Sequence, residues 1–317
     1  MPPLRWYLAQ GLIPLTEDSS DDDEGPYQLA DGRLVCGLHG LVVCGKCCVD
    51  YSFMDDNHVR DEDELPELDN DHVYFPQDSD YEDMYGRRTR RGTGQVFPTK
   101  FVPPNDSVKP TELFTLEKRF NGFDKRYTLQ DDRGTVLVHT DGACLNNGQP
   151  NPKAGWAFSL GLRPSGNPLV YSGRLEQKGP FGQDGSQTSN RAELRAIIAA
   201  LRSSNWPEEG VHTLVIATDS EYAVEGSTRW VKKWIKDDWK KYIYERGRGG
   251  RRREDVKNRD LWEALLGEME RCDDQDMIVK LWRIPREWNC LVDAAAKEAA
   301  GAEHAPETWE DPIIFHG

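Results

Sequence analysis

No apolar run in the 317-residue chain approaches the roughly 20 residues needed to cross a bilayer. The opening stretch, MPPLRWYLAQGLIPLTEDSSDDDE, has no long apolar core and soon turns acidic. It resembles neither a secretory signal nor an Arg-rich, acid-poor mitochondrial leader. The expectation is a soluble chain without a membrane contact, working as a monomer in the nucleus or cytoplasm. Cysteine is sparse, with seven residues in all, and four of them crowd between Cys36 and Cys48. An odd, clustered set argues against a secreted disulfide framework. Basic residues are scarce at the front: residues 1–86 hold 21 Asp/Glu and 4 Lys/Arg, a balance of −17 against −15 for the whole chain. The remainder is therefore about +2, and the acidic total does not argue against a nucleic-acid partner.

Residues 17–24 (EDSSDDDE) and most of 55–83 are acidic runs that stay solvated rather than build a core. Residues 1–130 are thus expected to be mostly disordered, with a small Cys/His cluster at 36–48, and to offer an acidic surface to a protein partner. From about residue 131 the pattern changes. TVLVHT (135–140), GWAFSLG (155–161), LVYSGRLE (169–176), TLVIAT (213–218) and MIVKLWRI (277–284) are apolar and β-branched, and predict strands. Ala192, Leu194, Ile197, Ile198 and Leu201 recur at helical spacing. Further helices are predicted over 220–226, 229–243, 258–271 and 291–300. The order βββαβα, then more helix, a strand and a last helix, points to an α/β class with helices covering a central sheet. A domain over 131–302 and a tail over 303–317 follow.

Four acids lie at telling places. Asp141 and Asp219 each follow an apolar strand, Glu193 sits in the first turns of a helix, and Asp293 begins the last one. In an α/β sheet, strand ends and the adjoining helix starts form the ligand crevice. A buried unpaired carboxylate costs several kcal/mol or shifts its pKa upward, so each acid needs a helix cap, a salt bridge or a cation. Clustered carboxylates suit hard divalent cations such as Mg²⁺, which take one or two protein acids together with phosphate oxygens. Two such ions can activate a water and neutralise a leaving oxygen.

TDGACLNNG, TSNRAELRAI, ATDSEYAV and VDAAAKEAA, in that order, resemble the four acidic motifs of type 1 ribonuclease H over roughly residues 132–301. The resemblance implies a ribonuclease H-like fold with a mixed five-stranded sheet flanked by helices. It also implies hydrolysis of the RNA strand of RNA/DNA hybrids, two Mg²⁺ ions per site with Mn²⁺ as a substitute, and Asp141, Glu193, Asp219 and Asp293 as catalytic, metal-holding acids. By the same resemblance Cys144, Asn146, Asn147, Thr188, Asn190 and Asn258 match substrate-contacting positions. Asparagine is also a common turn residue, and Thr188 or Ser189 could simply cap the helix.

Residues 229–253 carry 11 Lys/Arg against 3 Asp/Glu and interleave Trp230 and Trp234, one helical turn apart. Such a segment resembles the family's basic protrusion that grips the DNA strand, although a Trp pair is also ordinary core. Two departures stand out. The loop RIPREWNCLVD has no His where the best-known members have one; Glu287 stands near that place, and the IPREWN wording resembles fungal members. No hybrid-binding module is recognisable in 1–130. Cys36, His39, Cys44 and Cys47 are spaced for a tetrahedral structural Zn²⁺, with buried or redox-active thiols as the alternative. The alternative function is a hybrid- or double-stranded-RNA-binding protein with this fold and no turnover.

Overall fold

The computed structural model describes residues 12–14, 27–29, 34–36, 39–44, 49–51, 82–83, 85–118, 124–244 and 251–311. The acidic runs at 17–24 and 55–81 lie outside the described residues.

The short strands β1 (Leu12–Pro14), β2 (Tyr27–Leu29) and β3 (Leu34–Val35) pair with one another, as do β4 (Val43–Cys44) and β5 (Val49–Asp50). The main sheet takes β6 (Thr99–Lys100), β7 (Phe114–Lys118), β8 (Lys125–Leu129), β9 (Asp132–Leu145), β10 (Lys153–Leu162), β11 (Pro168–Arg174) and β12 (Thr213–Thr218). After the hairpin β13 (Lys240–Tyr244) and β14 (Arg251–Asp255), the sheet gains β15 (Ile278–Arg283). Helices are α1 (Pro110–Leu113), α2 (Ser189–Arg202), α3 (Glu221–Glu225), α4 (Val231–Lys236), α5 (Arg259–Asp273) and α6 (Cys290–Gly301).

β11, β10 and β9 run antiparallel, whereas β9, β12 and β15 run parallel. These five strands are the mixed sheet that the apolar segments predict. The sheet is wider than that, because β8 pairs with the first half of β9, β7 with β8, and β6 with the outer edge of β15. The added strands come from polar sequence such as KRYTL, whose alternation is too short to stand out beside the five apolar runs.

Each face of the sheet has its own cover. Val136, Val138, Phe158, Leu214, Ile216 and Leu281 pack with the apolar stripe of α2 and with Trp262, Leu265 and Leu266 of α5 in the main core. On the other face Ala143 and Ala157 leave room for Val292 and Ala296 of α6. Leu137, Val215 and Trp282 are roofed by Phe101 and Phe114, with Phe101 4.9 Å from the Trp282 ring.

Residues 85–101 form a strap across α5. Gly92 and Gly267 let the two backbones touch: a methyl on Gly92 would lie 2.4 Å from the Gly267 nitrogen, and one on Gly267 2.2 Å from the Arg90 carbonyl oxygen. The RRTRR patch is largely consumed by this docking. Arg87 bonds Asp83 and the Arg202 carbonyl, Arg91 pairs with Glu263, and the Arg88 carbonyl accepts from Arg271. Buried Arg202 is the hub, facing Asp83, Glu268 and Asp311 at once. Through Asp311, and through Trp309 stacked 4.0 Å from the Arg195 guanidinium, part of the tail after residue 302 is built onto the same body.

The helix expected over 229–243 ends at Lys236. Asp238 and Trp239 take left-handed backbone at φ 53° and 55°, and residues 240–244 pair as a strand with 251–255. The aromatic, β-branched KYIY run wins over helix continuation. Among the described residues, no helix is long and apolar enough to cross a membrane.

Candidate active site

Asp141 does not end its strand. β9 continues through Gly142 to Leu145 beside β10, whereas pairing with β12 stops at Ala217 opposite His139. Two residues further along both strands, that register sets Asp219 beside Asp141 where the parallel ladder has run out. Glu193 arrives from the second turn of α2, which begins at Ser189 with the Thr188 hydroxyl accepting from the Arg191 amide at 3.3 Å. Gly142 lets it arrive: a Cβ there would lie 2.1 Å from the Glu193 nitrogen. The missing side chain is what admits α2.

Asp141, Glu193 and Asp219 each present an oxygen within 4.8 Å of the others. Asp141 and Glu193 are buried. Burial first, then the Asp219 charge, raises the Asp141 pKa well above the ordinary carboxylate value; burial, then Asp141 and Asp219, does the same for Glu193. The Gly142 amide donates to Glu193 and the Thr218 hydroxyl approaches it at 3.5 Å. Such a set is complete only with a positive charge among the oxygens. Three oxygen donors from three rigid elements, mutually repelling and desolvated, fit a hard divalent cation.

Asp293 stands outside this trio. Its two oxygens accept from Arg286 at 2.7 Å and Lys297 at 2.8 Å. Arg286 also feels the trio: burial alone would lower its pKa, but Asp219, Asp293 and Asp141 outweigh burial and raise it. Buried Asn289 donates through Nδ2 to the Thr140 carbonyl at 2.9 Å and to Asp219 at 2.9 Å, bridging the gap where β9 and β12 separate. Neither Arg286 nor Asn289 was singled out from the sequence. Both lie in RIPREWNCLVD, where the missing His drew notice to Glu287, which is exposed. In the sequence Asn289 reads as an ordinary cap before the last helix; in the structure its side chain makes no cap bond, and its Nδ2 serves Thr140 and Asp219 instead.

The remaining expected contacts are distributed differently. Cys144 is fully buried, with its thiol 3.5 Å from the Gln187 carbonyl, so the side chain belongs to the core. Asn146 is exposed in a left-handed turn at φ 56°, and buried Asn147 donates to the Ser189 hydroxyl at 3.1 Å. Asn190 is half-buried in the first turn of α2. Asn258, also left-handed, donates to the Tyr222 hydroxyl at 3.0 Å, which Trp262 shares at 3.1 Å. Trp230 and Trp234 are buried, their rings 6.1 Å apart, with Trp234 5.4 Å from Trp262. An indole pair one turn apart here closes the core under α5 instead of facing a strand. At the N-terminal cluster the Cys36 sulfur lies 3.8 Å from His39 Nδ1 and accepts from the His39 amide at 3.3 Å. Cys47 and the Cys44 side chain lie outside the described residues.

A central sheet ordered β11-β10-β9-β12-β15, with acids gathered where β9 and β12 part, defines an α/β domain whose clustered carboxylates fit a divalent cation. The family model described as RNase H matches residues 133–300. The chain belongs to the ribonuclease H family. Similar relatives include the ribonuclease H of Treponema pallidum, 37% identical over 134 residues (41% of this chain, 70% of the relative), and that of Xanthomonas oryzae pv. oryzae, 38% identical over 137 residues (43% and 73%). Among solved structures, LC9-RNase H1 is 26% identical at a TM-score of 0.33, covering 53% of this chain and 72% of its own; RNase H1 of Halobacterium salinarum is 21% identical at 0.29, covering 52% and 96%.

Proposed function

We propose that this chain is a divalent-metal-dependent endoribonuclease that hydrolyses the RNA strand of RNA/DNA hybrids, leaving 5′-phosphates. The observation that carries the proposal is the trio Asp141, Glu193 and Asp219, held within 4.8 Å from three separate elements. Two Mg²⁺ ions, replaceable by Mn²⁺, are the proposed cofactors, held by the trio and by Asp293 once that acid exchanges its Arg286 and Lys297 partners. When bound, the ions neutralise the carboxylates and supply Lewis-acid activation of the attacking water and the leaving oxygen. Glu193 also accepts from the ribose 2′-hydroxyl, the group that separates RNA from DNA. Asn289 holds Asp219 in place through its amide. Arg286 supplies positive charge to the acids until metal and phosphate arrive.

The test is cleavage of an end-labelled hybrid beside duplex DNA and duplex RNA of the same sequence, with and without Mg²⁺, for the chain and its Asp219→Asn variant. Selective, metal-dependent loss of the RNA strand, abolished by the substitution, is expected. A hybrid that is bound but left intact in Mg²⁺ would support the binding-only alternative instead. For the N-terminal cluster we propose a structural Zn²⁺ on Cys36, His39, Cys44 and Cys47, supported by the 3.8 Å sulfur-to-nitrogen approach and the N–H···S bond. Zinc content of the purified chain and of Cys36→Ser decides it: equal contents reject the site.

A further inference from the structure

Where the strap passes the turn that joins α3 to α4, a crevice of about 340 Å³ is lined by Pro98, Thr99, Lys100, Thr228, Arg229 and Lys232. Three of those six residues, Lys100, Arg229 and Lys232, are cationic, and their apolar stems supply much of the wall. One acid answers these cations: Glu225 pairs with Lys100 and lies 3.6 Å from Arg229. Exposed Lys232 carries its ammonium 5.0 Å above the Phe97 ring. The local balance is therefore positive, and all three cations keep exposed side chains.

The crevice also has a definite relation to the carboxylates. β6 lies parallel to β15 with Lys100 opposite Leu281, and β15 lies parallel to β12 with Arg283 opposite Thr218, the residue before Asp219. Lys100 is thus level with Ile216, three residues or roughly 10 Å along the strand below Asp219, and two strand spacings, about 10 Å, to the side. A strand of nucleic acid whose phosphate reaches the trio has its neighbouring phosphates within range of this flank. Lys100 comes from the strap, outside the 133–300 span of the family match.

We propose that the crevice holds a backbone phosphate of the bound nucleic acid, with Lys100 and Lys232 as its donors and Arg229 beside them. This rests on the nuclease reading for its ligand, and it makes the strap part of the binding surface as well as a brace for the core. Phosphate contacts of this kind position a strand without reading sequence.

The test uses the full chain carrying Asp219→Asn, so that substrate persists, and fluorescence anisotropy with a labelled hybrid and with duplex DNA of equal length over a salt series. Lys100→Gln and Lys232→Gln should each weaken binding roughly threefold and make the slope of log affinity on log salt shallower by about one. Lys100→Arg should keep both values, and Glu225→Gln should tighten binding. Unchanged slopes in the two Gln variants, with unchanged thermal midpoints, overturn the proposal. So does a Lys100→Gln effect that vanishes when residues 1–81 are deleted, since the crevice would then hold the acidic arm. A parent chain that cuts no hybrid defeats the nuclease reading alone, because the duplex-DNA arm still decides the crevice.

Discussion

Gly142→Ala is the sharpest perturbation of the site that leaves every acid in place. The added methyl would lie 2.1 Å from the Glu193 nitrogen, 2.3 Å from the Ala192 carbonyl carbon and 2.7 Å from the Glu193 Cα. All three are backbone atoms of a buried helix, so no side chain can swing away. Restoring ordinary contact, which begins at 3.4 Å, requires about 1.3 Å of separation between β9 and α2. Overpacking of this kind costs about 1–3 kcal/mol, or several degrees of thermal midpoint for a domain of this size. The larger effect falls on activity. Glu193 rides on α2 and Asp141 on β9, so the same shift pulls the trio apart, and a displacement of about 1 Å at a catalytic group costs on the order of 100-fold. The assay is hybrid cleavage at saturating Mg²⁺ together with a melting curve. Gly301→Ala, where a methyl meets nothing within 4 Å, is the control and should leave cleavage unchanged. A Gly142→Ala chain that cleaves and melts like the parent would refute the claim that this glycine sets the spacing of the acids.

Arg202→Ala leaves Asp83, Glu268 and Asp311 around an uncompensated buried space, and should cost about 3–5 kcal/mol and expose the strap arginines to trypsin; a chemical denaturation curve and a timed digest check both. Burial holds the His139 imidazole down to about 4 from 6.5. The fold keeps it neutral while the unfolded chain protonates it, so its stability is present above pH 6.5 and drains away as pH falls toward 4, by up to about 3 kcal/mol. His139→Gln should remove that part of the acid slope in denaturant melts at pH 7 and 4.5, and identical slopes reject it. Arg286→Ala removes the cation that competes for the trio and for Asp293, so half-saturation should need several-fold less Mg²⁺; a higher requirement would show that Arg286 assembles the site instead of holding it in reserve.

Much of this architecture was legible because burial writes itself into sequence. Strands covered on both faces, such as TLVIAT, are continuous apolar runs, and α2 carries its stripe at helical spacing. Asp141 and Asp219 were legible for the opposite reason, as carboxylates in or just after runs that otherwise exclude charge, and Glu193 and Asp293 through the motifs around them. What stayed hidden was tertiary. The side chains of Trp230, Trp234 and Cys144 suit a ligand surface and a core equally well, and only burial decides between them. The strap is charged and carries several glycines, so it reads as linker, yet its arginines find carboxylates and helix carbonyls far along the chain.

Local and long-range pairing divide the four acids of the site. Asp293 lies in sequence beside Arg286 and Lys297, and folding closes that local set into ion pairs. Asp141, Glu193 and Asp219 have no Lys or Arg at such spacing, and the fold collects them where the Gly142 amide, the Thr218 hydroxyl, the Asn289 amide and the Arg286 field offer compensation. An acid whose cation is supplied by its own helix is stable without metal, and one gathered from distant elements is not. The trio is therefore the part of the proposed site that should respond most to a metal, and chelation should lower the thermal midpoint of the parent chain more than that of Asp219→Asn, in which one repelling charge is already gone. Equal shifts on chelation would place the metal elsewhere.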